Sequence, residues 1–331
     1  MIGSSPFNPA TVLRTNFGFR HEHLYEQMSE RIIRSDSFPA DAVATDRLLL
    51  GAKVVLCTLS MLSNRQIDFF IRLVPVETLI FDEASQIEVG DYIPVLHRFQ
   101  QTLRKLVLIG DDKQLAPYGQ DDVTELQSIF ELPRLRNRAL FLDTQYRMPV
   151  VVGEFISRQV YKGKLRTDHR ISDPRACRFV DVQKGKEEKM GHSWVNHQEV
   201  TVVVHIARLY HAEGKSYRIV TPYDAQRSLI EKELQSAKLP WEDKCFNVDS
   251  FQGNEEDYII LSIVRSNKVG FLRNTRRTNV MLTRCKRSMI ICTSRSFVTN
   301  VAASTLIGRM VVAMGQEAWM DRRDLVRGRL L

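Results

Sequence analysis

Glu77-Thr78-Leu79-Ile80-Phe81-Asp82-Glu83-Ala84-Ser85-Gln86 opens the stretch that decides the fold, and Lys105-Leu106-Val107-Leu108-Ile109-Gly110-Asp111-Asp112-Lys113-Gln114 closes it. Each is a short apolar run that stops abruptly in polar residues, as a buried strand does when it delivers acids and a glutamine to a sheet edge. From Glu77 to Pro117 the order is strand, carboxylate pair, helix, strand, polar loop. Ligands of open parallel sheets lie outside the carboxyl ends of the strands, so this edge is a ligand site. The ligand implied is a nucleoside triphosphate with Mg²⁺. An aspartate at a strand tip holds the ion directly or through water, and an adjacent glutamate orients and deprotonates the attacking water. An isolated Asp-Glu pair is more often a turn with an N-cap. The second polar tip, arriving one strand later, favours the ligand site.

The 331 residues suffice for about two domains, each able to bury its own core. A hydrophobic fraction of 44% fits a globular protein, and 47 Lys+Arg against 39 Asp+Glu, net +8, favour a polyanionic partner. Five cysteines without a C-x-x-C argue for a reducing compartment, with no disulfide frame and no structural zinc. The first residues carry neither a basic nor an apolar signal region, and no later segment approaches the length of a membrane span. The expectation is a cytoplasmic or nuclear protein with no membrane association.

Along the chain, the spacing of Leu24, Met28, Ile32 and Ile33 predicts a helix over 21–33, and Lys53–Thr58 reads as a strand whose terminal hydroxyls touch a phosphate or cap the adjoining segment. A helix is expected over Asp122–Phe130 and a strand at Leu140–Leu142. Tyr146 beside Arg147 offers a ring to stack on a base and a cation for a phosphate, though such neighbours are more often a surface pair. In the later half the expected strands are Phe179–Val182, Tyr217–Val220 with a polar tip Thr221–Arg227, Asn247–Asp249, Tyr258–Val264 and Ser288–Cys292, with helices over Asn196–His211 and from after Arg227 to about Ser236. The charged run Lys184–Lys189 reads as an exposed loop, and residues from Val301 onward read as a helical tail. Alternating strands and helices, with polar signatures at the strand ends, give an α/β fold of two doubly wound lobes with mainly parallel sheets.

Asp82-Glu83-Ala84-Ser85-Gln86, Gly110-Asp111-Asp112-Lys113-Gln114-Leu115, Gln145-Tyr146-Arg147-Met148, Thr221-Pro222-Tyr223-Asp224-Ala225-Gln226, Val248-Asp249-Ser250-Phe251-Gln252-Gly253-Asn254-Glu255 and Asn279-Val280-Met281-Leu282-Thr283-Arg284 resemble, in order, the motifs of superfamily 1 helicases. The nearest subgroup is that of the regulator of nonsense transcripts and senataxin, and the resemblance covers about Lys53 to Thr299. It implies two RecA-like lobes that bind ATP with Mg²⁺ and pass single-stranded RNA or DNA across their top. It also implies possible protein partners in an RNA-processing or surveillance complex. The implied organisation is an N-terminal segment, 1–50, a partial first lobe, 51–142, a second lobe, 143–300, and a helical tail, 301–331. By this likeness Asp82 binds the metal, Glu83 activates water and Gln114 senses the γ-phosphate, while Arg147 and Arg284 are cationic fingers. Tyr146 stacks on adenine, Glu255 with Gly253 contacts the nucleotide, and Thr58, Thr221, Pro222, Tyr223 and Arg227 meet the nucleic-acid backbone.

One part is missing. The phosphate loop G-x-x-x-x-G-K-[ST] occurs nowhere in the chain. Its nearest imitation, Gly214-Lys215-Ser216, has Leu209 where the first glycine belongs and precedes a strand where a helix should start. That loop supplies the amide cradle, a lysine for the β/γ-phosphates and a hydroxyl for Mg²⁺, so weak nucleotide binding and little hydrolysis are expected of this polypeptide alone. Three accounts stay open: a portion of a longer helicase, a non-catalytic nucleic-acid or protein-binding pseudo-helicase, and a loop supplied by another chain.

Overall fold

Two units divide the chain, one of residues Met1–Asp111 with Ala116–Asn137, the other of Asp112–Leu115 with Arg138–Leu331. The structure, a computed structural model, describes residues 12–14, 32–34, 41–49, 54–62, 71, 75–120, 123, 125–321 and 325.

In the first unit β1 (Val12–Arg14), β2 (Ile32–Arg34) and β3 (Val54–Leu56) pair in parallel in the order β2-β1-β3. Helix α1 (Ala42–Leu49) precedes β3 and α2 (Leu59–Leu62) comes after it. Ile32 and Ile33, expected in a helix, belong to β2, where β-branched side chains fit the pleat; the rest of that expected helix lies outside the described residues. Strands β4 (Thr78–Phe81) and β5 (Lys105–Leu108) form a second parallel pair, with Phe81 opposite Leu108. Two 3₁₀ turns and α3 (Tyr92–Phe99) connect them. Alternation along β4 turns Leu79 and Phe81 onto Tyr92, Val95, Phe99 and Ile129. The Phe81 and Tyr92 rings meet edge to face at 4.9 Å, and the Tyr92 hydroxyl donates to the Ala84 carbonyl at 3.2 Å. The helix expected over Asp122–Phe130 is absent from its described residues, which end in a 3₁₀ turn, Ile129–Glu131, ahead of α4 (Pro133–Arg136). A capping box between Ser128 and Glu131 sets the start of that single turn at Ser128, later than the expected helix.

The second unit begins with β6 (Thr144–Gln145), α5 (Val150–Val160) and β7 (Arg166–Thr167), β6 pairing with β7. Leu140–Leu142, expected as a strand, is irregular and exposed, at 93%, 52% and 81%. Three consecutive apolar residues do not specify a strand without a neighbour to pair with. Next come β8 (Cys177–Asp181), the antiparallel hairpin β9 (Glu188–Met190) and β10 (Ser193–Val195), and α6 (His197–Ala212). They are followed by β11 (Tyr217–Thr221), α7 (Asp224–Ser236), β12 (Cys245–Asn247), β13 (Glu256–Ser262), α8 (Thr275–Leu282), β14 (Cys285–Thr293) and α9 (Leu306–Met314).

Five of these strands form one all-parallel sheet in the order β12-β11-β13-β14-β8. Its strands are apolar runs because both faces are covered. On one face Phe179, Ile259 and Ile291 pack with α5, α8 and α9; on the other Val180, Ile260 and Ile290 pack with α6 and α7. The helix after β11 therefore covers one face and the helix after β13 the other. Adjacent strands whose connections leave to opposite faces open a crevice at their carboxyl ends. The architecture of this unit is α/β, a doubly wound parallel sheet.

A polar network crosses the second core. Glu199, 0% exposed, accepts from the Ser262 hydroxyl at 2.7 Å and the Val264 amide at 2.8 Å, while its Oε1 has no partner. Burial pushes its carboxyl up to about 8 against the pull of these hydrogen bonds. Because the folded value lies above the ordinary 4.5, the group favours the fold fully below pH 4.5, and that contribution is lost as pH rises towards 8. Glu199→Gln should flatten this decline by on the order of a few kcal/mol. Urea midpoints at pH 5 and pH 8.5 test it, and parallel losses in both proteins would refute it.

Candidate nucleotide and nucleic-acid site

The acid pair occupies the tip of β4 in the first unit. Asp82 is exposed and its Oδ1 accepts the Glu83 amide at 2.9 Å. Glu83 adopts φ 50, ψ 37, the left-handed region, and its side chain makes no capping hydrogen bond to the turn Ala84–Gln86 that it precedes. For a non-glycine residue this conformation costs about 1–2 kcal/mol, strain that folds retain at functional turns. The tip is held by the second strand: Ala84 N donates to Ile109 O and Ile109 N to Phe81 O, each at 2.8 Å. Gly110 makes this approach feasible, since a Cβ there would lie 2.8 Å from Ser85 N and 2.9 Å from the Phe130 ring. Gly110→Ala should cost roughly 1–3 kcal/mol of unfolding free energy by overpacking the turn. An unchanged denaturant midpoint would show that the turn yields freely.

Thr58, also in this unit, is exposed, and its Oγ1 accepts the Met61 amide at 3.4 Å beside Ser60 Oγ at 3.1 Å. In this arrangement the hydroxyl caps α2.

Glutamine and arginines gather in the second unit. Gln114 Oε1 accepts Arg284 Nη2 at 3.0 Å. Arg284, 2% exposed in the turn between α8 and β14, donates Nε to Val280 O at 2.8 Å and Nη2 to Thr283 Oγ1 at 2.9 Å. Arg147 Nη1 reaches the carbonyl of the same Thr283 at 3.3 Å, and its Nε pairs with Glu255 Oε2. Gln114, Arg284, Thr283, Arg147 and Glu255 are thus one continuous polar set. Gln145 shapes the loop that carries Arg147: its Oε1 accepts Arg147 N at 2.9 Å and Met148 N at 2.8 Å, while its Nε2 donates to Thr167 Oγ1 at 3.0 Å. Asn279 ties the Gln114 segment down by donating to Lys113 O at 3.0 Å. Tyr146 stands 68% exposed, an open aromatic face beside the cations. Gly253 takes φ +77 with open space where a Cβ would be, so it serves the turn before Glu255.

At the tip of β11 the expected polymer contacts separate. Thr221 is 0% exposed with an unpartnered Oγ1, which corrects the expectation that it touches a backbone phosphate: no surface of it is offered. Pro222 and Tyr223 are half-buried, and the Tyr223 hydroxyl accepts the Phe271 amide at 3.2 Å. Arg227 Nη1 bonds Glu231 at 2.8 Å and its Nε lies 3.5 Å from Asp224, so acids of its own helix already balance its charge. It lines a polar cavity of about 350 Å³ with Asp224, Glu231 and Asn247.

Family profiles described as AAA domain match residues 18–119 and 125–296, the second covering more than half of the chain. The chain is 33% identical over 294 residues to the mouse protein named probable helicase senataxin, covering 75% of this chain and 11% of that one. It is 31% identical over 324 residues to the Drosophila melanogaster regulator of nonsense transcripts 1 homolog, covering 87% and 26%. The chain belongs to the superfamily 1 helicases, in the group of these two proteins. A further relative in this superfamily, the DNA polymerase alpha-associated DNA helicase A of Saccharomyces cerevisiae, is 30% identical over 319 residues, covering 81% of this chain and 47% of that one. The chain thus spans about half the length of that relative and less of the others. As a superfamily 1 helicase core it carries the acid tip in one unit and the glutamine-arginine set in the other.

Sequence reasoning passed over Glu187 and Arg265. Lys184–Lys189 was expected as an exposed loop, yet the Glu187 side chain is only 5% exposed because it pairs with Arg265, itself 6% exposed. The partner lies 78 residues away, so no local periodicity announces it. Among the described residues no cluster of three or more His, Cys, Asp or Glu could hold a metal ion.

Proposed function

We propose that the chain is the core of an ATP-dependent helicase, coupling nucleoside-triphosphate hydrolysis to movement along single-stranded RNA or DNA, with turnover compromised because this polypeptide carries no phosphate loop. The polar set running from Gln114 through Arg284 and Thr283 to Arg147 and Glu255 is the observation that supports it most directly. Phosphoryl transfer spreads negative charge over equatorial oxygens, and two guanidinium groups, Arg284 bonded to Gln114 and Arg147 bonded to the Thr283 carbonyl, suit that charge.

The residues fit part of the cofactor. An exposed Asp82 at a strand tip suits Mg²⁺, which usually takes one or two carboxylates plus substrate phosphates, so no larger acid cluster is required. ATP supplies the transferable phosphoryl group, and Mg²⁺ offsets its charge. Glu83, turned into the left-handed region beside Asp82, is the base that orients and deprotonates water. Arg147 exchanges Glu255 for phosphate oxygens, Tyr146 offers its exposed ring to adenine, and Gln114 reports the γ-phosphate to Arg284. Nothing in the sequence substitutes for the amide cradle of the other phosphates. The polymer is held by Tyr223 and Pro222 at the tip of β11, and contacts to its sugar-phosphate backbone give sequence-tolerant, salt-sensitive binding.

Measuring ATP turnover with and without a single-stranded oligonucleotide tests the reading: stimulation by the strand supports it. Strand binding with no turnover would favour a non-catalytic nucleic-acid or protein-binding module. The helicase reading also places the protein in the cytoplasm or nucleus, with partners of an RNA-processing or surveillance complex. Among the described residues, no helix is long and apolar enough to cross a membrane.

A further inference from the structure

The crevice between the carboxyl ends of β11 and β13 holds a cluster that the proposed chemistry leaves unused. Glu187, just ahead of β9, buries its carboxylate there. Its Oε2 accepts Arg265 Nε at 2.9 Å, Ser266 N at 2.7 Å and Asn267 N at 3.0 Å, and its Oε1 accepts Arg265 Nη2 at 3.0 Å. The Glu187 amide returns a bond to Ser266 Oγ at 3.0 Å. Burial pushes this carboxyl up, but the Arg265 hydrogen bonds and the Asn267 and Ser266 amides outweigh it and bring it down to about 2. The clamp is therefore charged at any physiological pH.

Arg265 is held on its other sides too. Its guanidinium lies 4.1 Å from the centre of the Trp194 ring, and its Nη1 donates to the Tyr223 hydroxyl at 3.4 Å. Gly270, φ +54, closes the loop against them; a Cβ there would lie 2.6 Å from the Tyr223 oxygen and 2.7 Å from Arg265 Nη1. The entry to the loop is strained and over-determined. Val264 has φ 71, a conformation that β-branched residues avoid, while its amide is bound by Glu199 at 2.8 Å and its carbonyl by Asn196 Nδ2 at 3.1 Å. Beyond this anchor Asn267 and Lys268 are exposed.

We infer that Glu187 is a positioning residue for strand binding: it fixes the loop Val264–Gly270 and, through Arg265, the Tyr223 hydroxyl, so that Tyr223, Asn267 and Lys268 form one preset ledge for the sugar-phosphate backbone of a single strand. The inference rests on the helicase reading above and assigns this ledge within it. Arg265 does not itself meet phosphate. Its side chain is only 6% exposed, three of its five N–H donors go to Glu187 and Tyr223, and one face of its guanidinium is covered by Trp194. Among the described residues of the ledge, the cation offered to phosphate is Lys268, and the rigid clamp spares the loop the ordering cost that weakens binding by flexible segments.

Glu187→Gln tests this while keeping shape and one acceptor oxygen. Fluorescence anisotropy with a labelled single-stranded oligonucleotide should show affinity reduced roughly tenfold, with a shallower salt slope. A fluorescent ATP analogue should bind the variant as it binds the parent. Lys268→Ala, which touches nothing in the clamp, should weaken strand binding, and by less when Glu187→Gln is already present. Amide exchange should speed up at Ser266 and Asn267 in the glutamine variant. Equal strand affinity in parent and variant, at matched fold stability, overturns the positioning role. If the parent binds no single strand, the helicase reading fails on its own, and amide exchange still decides the clamp: unchanged exchange at Ser266 and Asn267 refutes it.

Discussion

Glu83→Gln is expected to remove the ATP turnover that the chain supports, by ~10²–10⁴-fold, while single-strand affinity stays within about twofold. The substitution keeps size and one oxygen and deletes only the basic lone pair that would take the proton from water. The Glu83 side chain makes no capping bond to the adjoining turn, and the amide keeps its shape. A phosphate-release assay with the parent and variant measured together decides the matter. Unchanged hydrolysis would show that another group is the base, whereas loss of strand binding would show that Glu83 holds the turn and does not act on water.

Arg284→Ala should be strongly destabilising in the second unit. The side chain is 2% exposed and bonds Val280 O, Thr283 Oγ1 and Gln114 Oε1, so truncation strands acceptors in a buried place and leaves a cavity. The combined cost is about 2–4 kcal/mol in unfolding free energy. Arg284→Lys should recover only part of it, because an ammonium cannot replace a planar fork that addresses separate acceptors at once. A shift in urea midpoint for the alanine variant worth less than about 0.5 kcal/mol would mean that Gln114 and Thr283 find water in place of the guanidinium.

Much of the site was legible because its residues fall in short contiguous runs at strand ends. Thr78–Phe81 was read with its observed limits and α6 was placed close to its own, since alternation or helical spacing is unbroken there, while α7 starts at Asp224, a turn earlier than the polar tip suggested. The runs that misled were those whose local pattern is overruled by something distant. Leu140–Leu142 has strand composition and no pairing partner among the described residues, and Ile32–Ile33 continues a helical spacing into a strand that pairs with β1. Glu187 looked like one charge in a solvated run because its guanidinium partner comes 78 residues later. Thr221 looked like a phosphate contact because motif likeness fixes residue type and order, not the direction a side chain faces once the sheet is covered on both sides.

Trp194 gives the molecule an optical signal of its own. Of the three tryptophans, Trp319 lies 5.0 Å from Arg295 and Trp241 is 38% exposed, while Trp194 alone is stacked on Arg265. An indole emission quenched or shifted by an adjoining guanidinium changes when that cation moves. In a variant whose Trp241 and Trp319 are replaced by Phe, a polymer titration therefore reports the Trp194–Arg265 contact alone, without an attached dye.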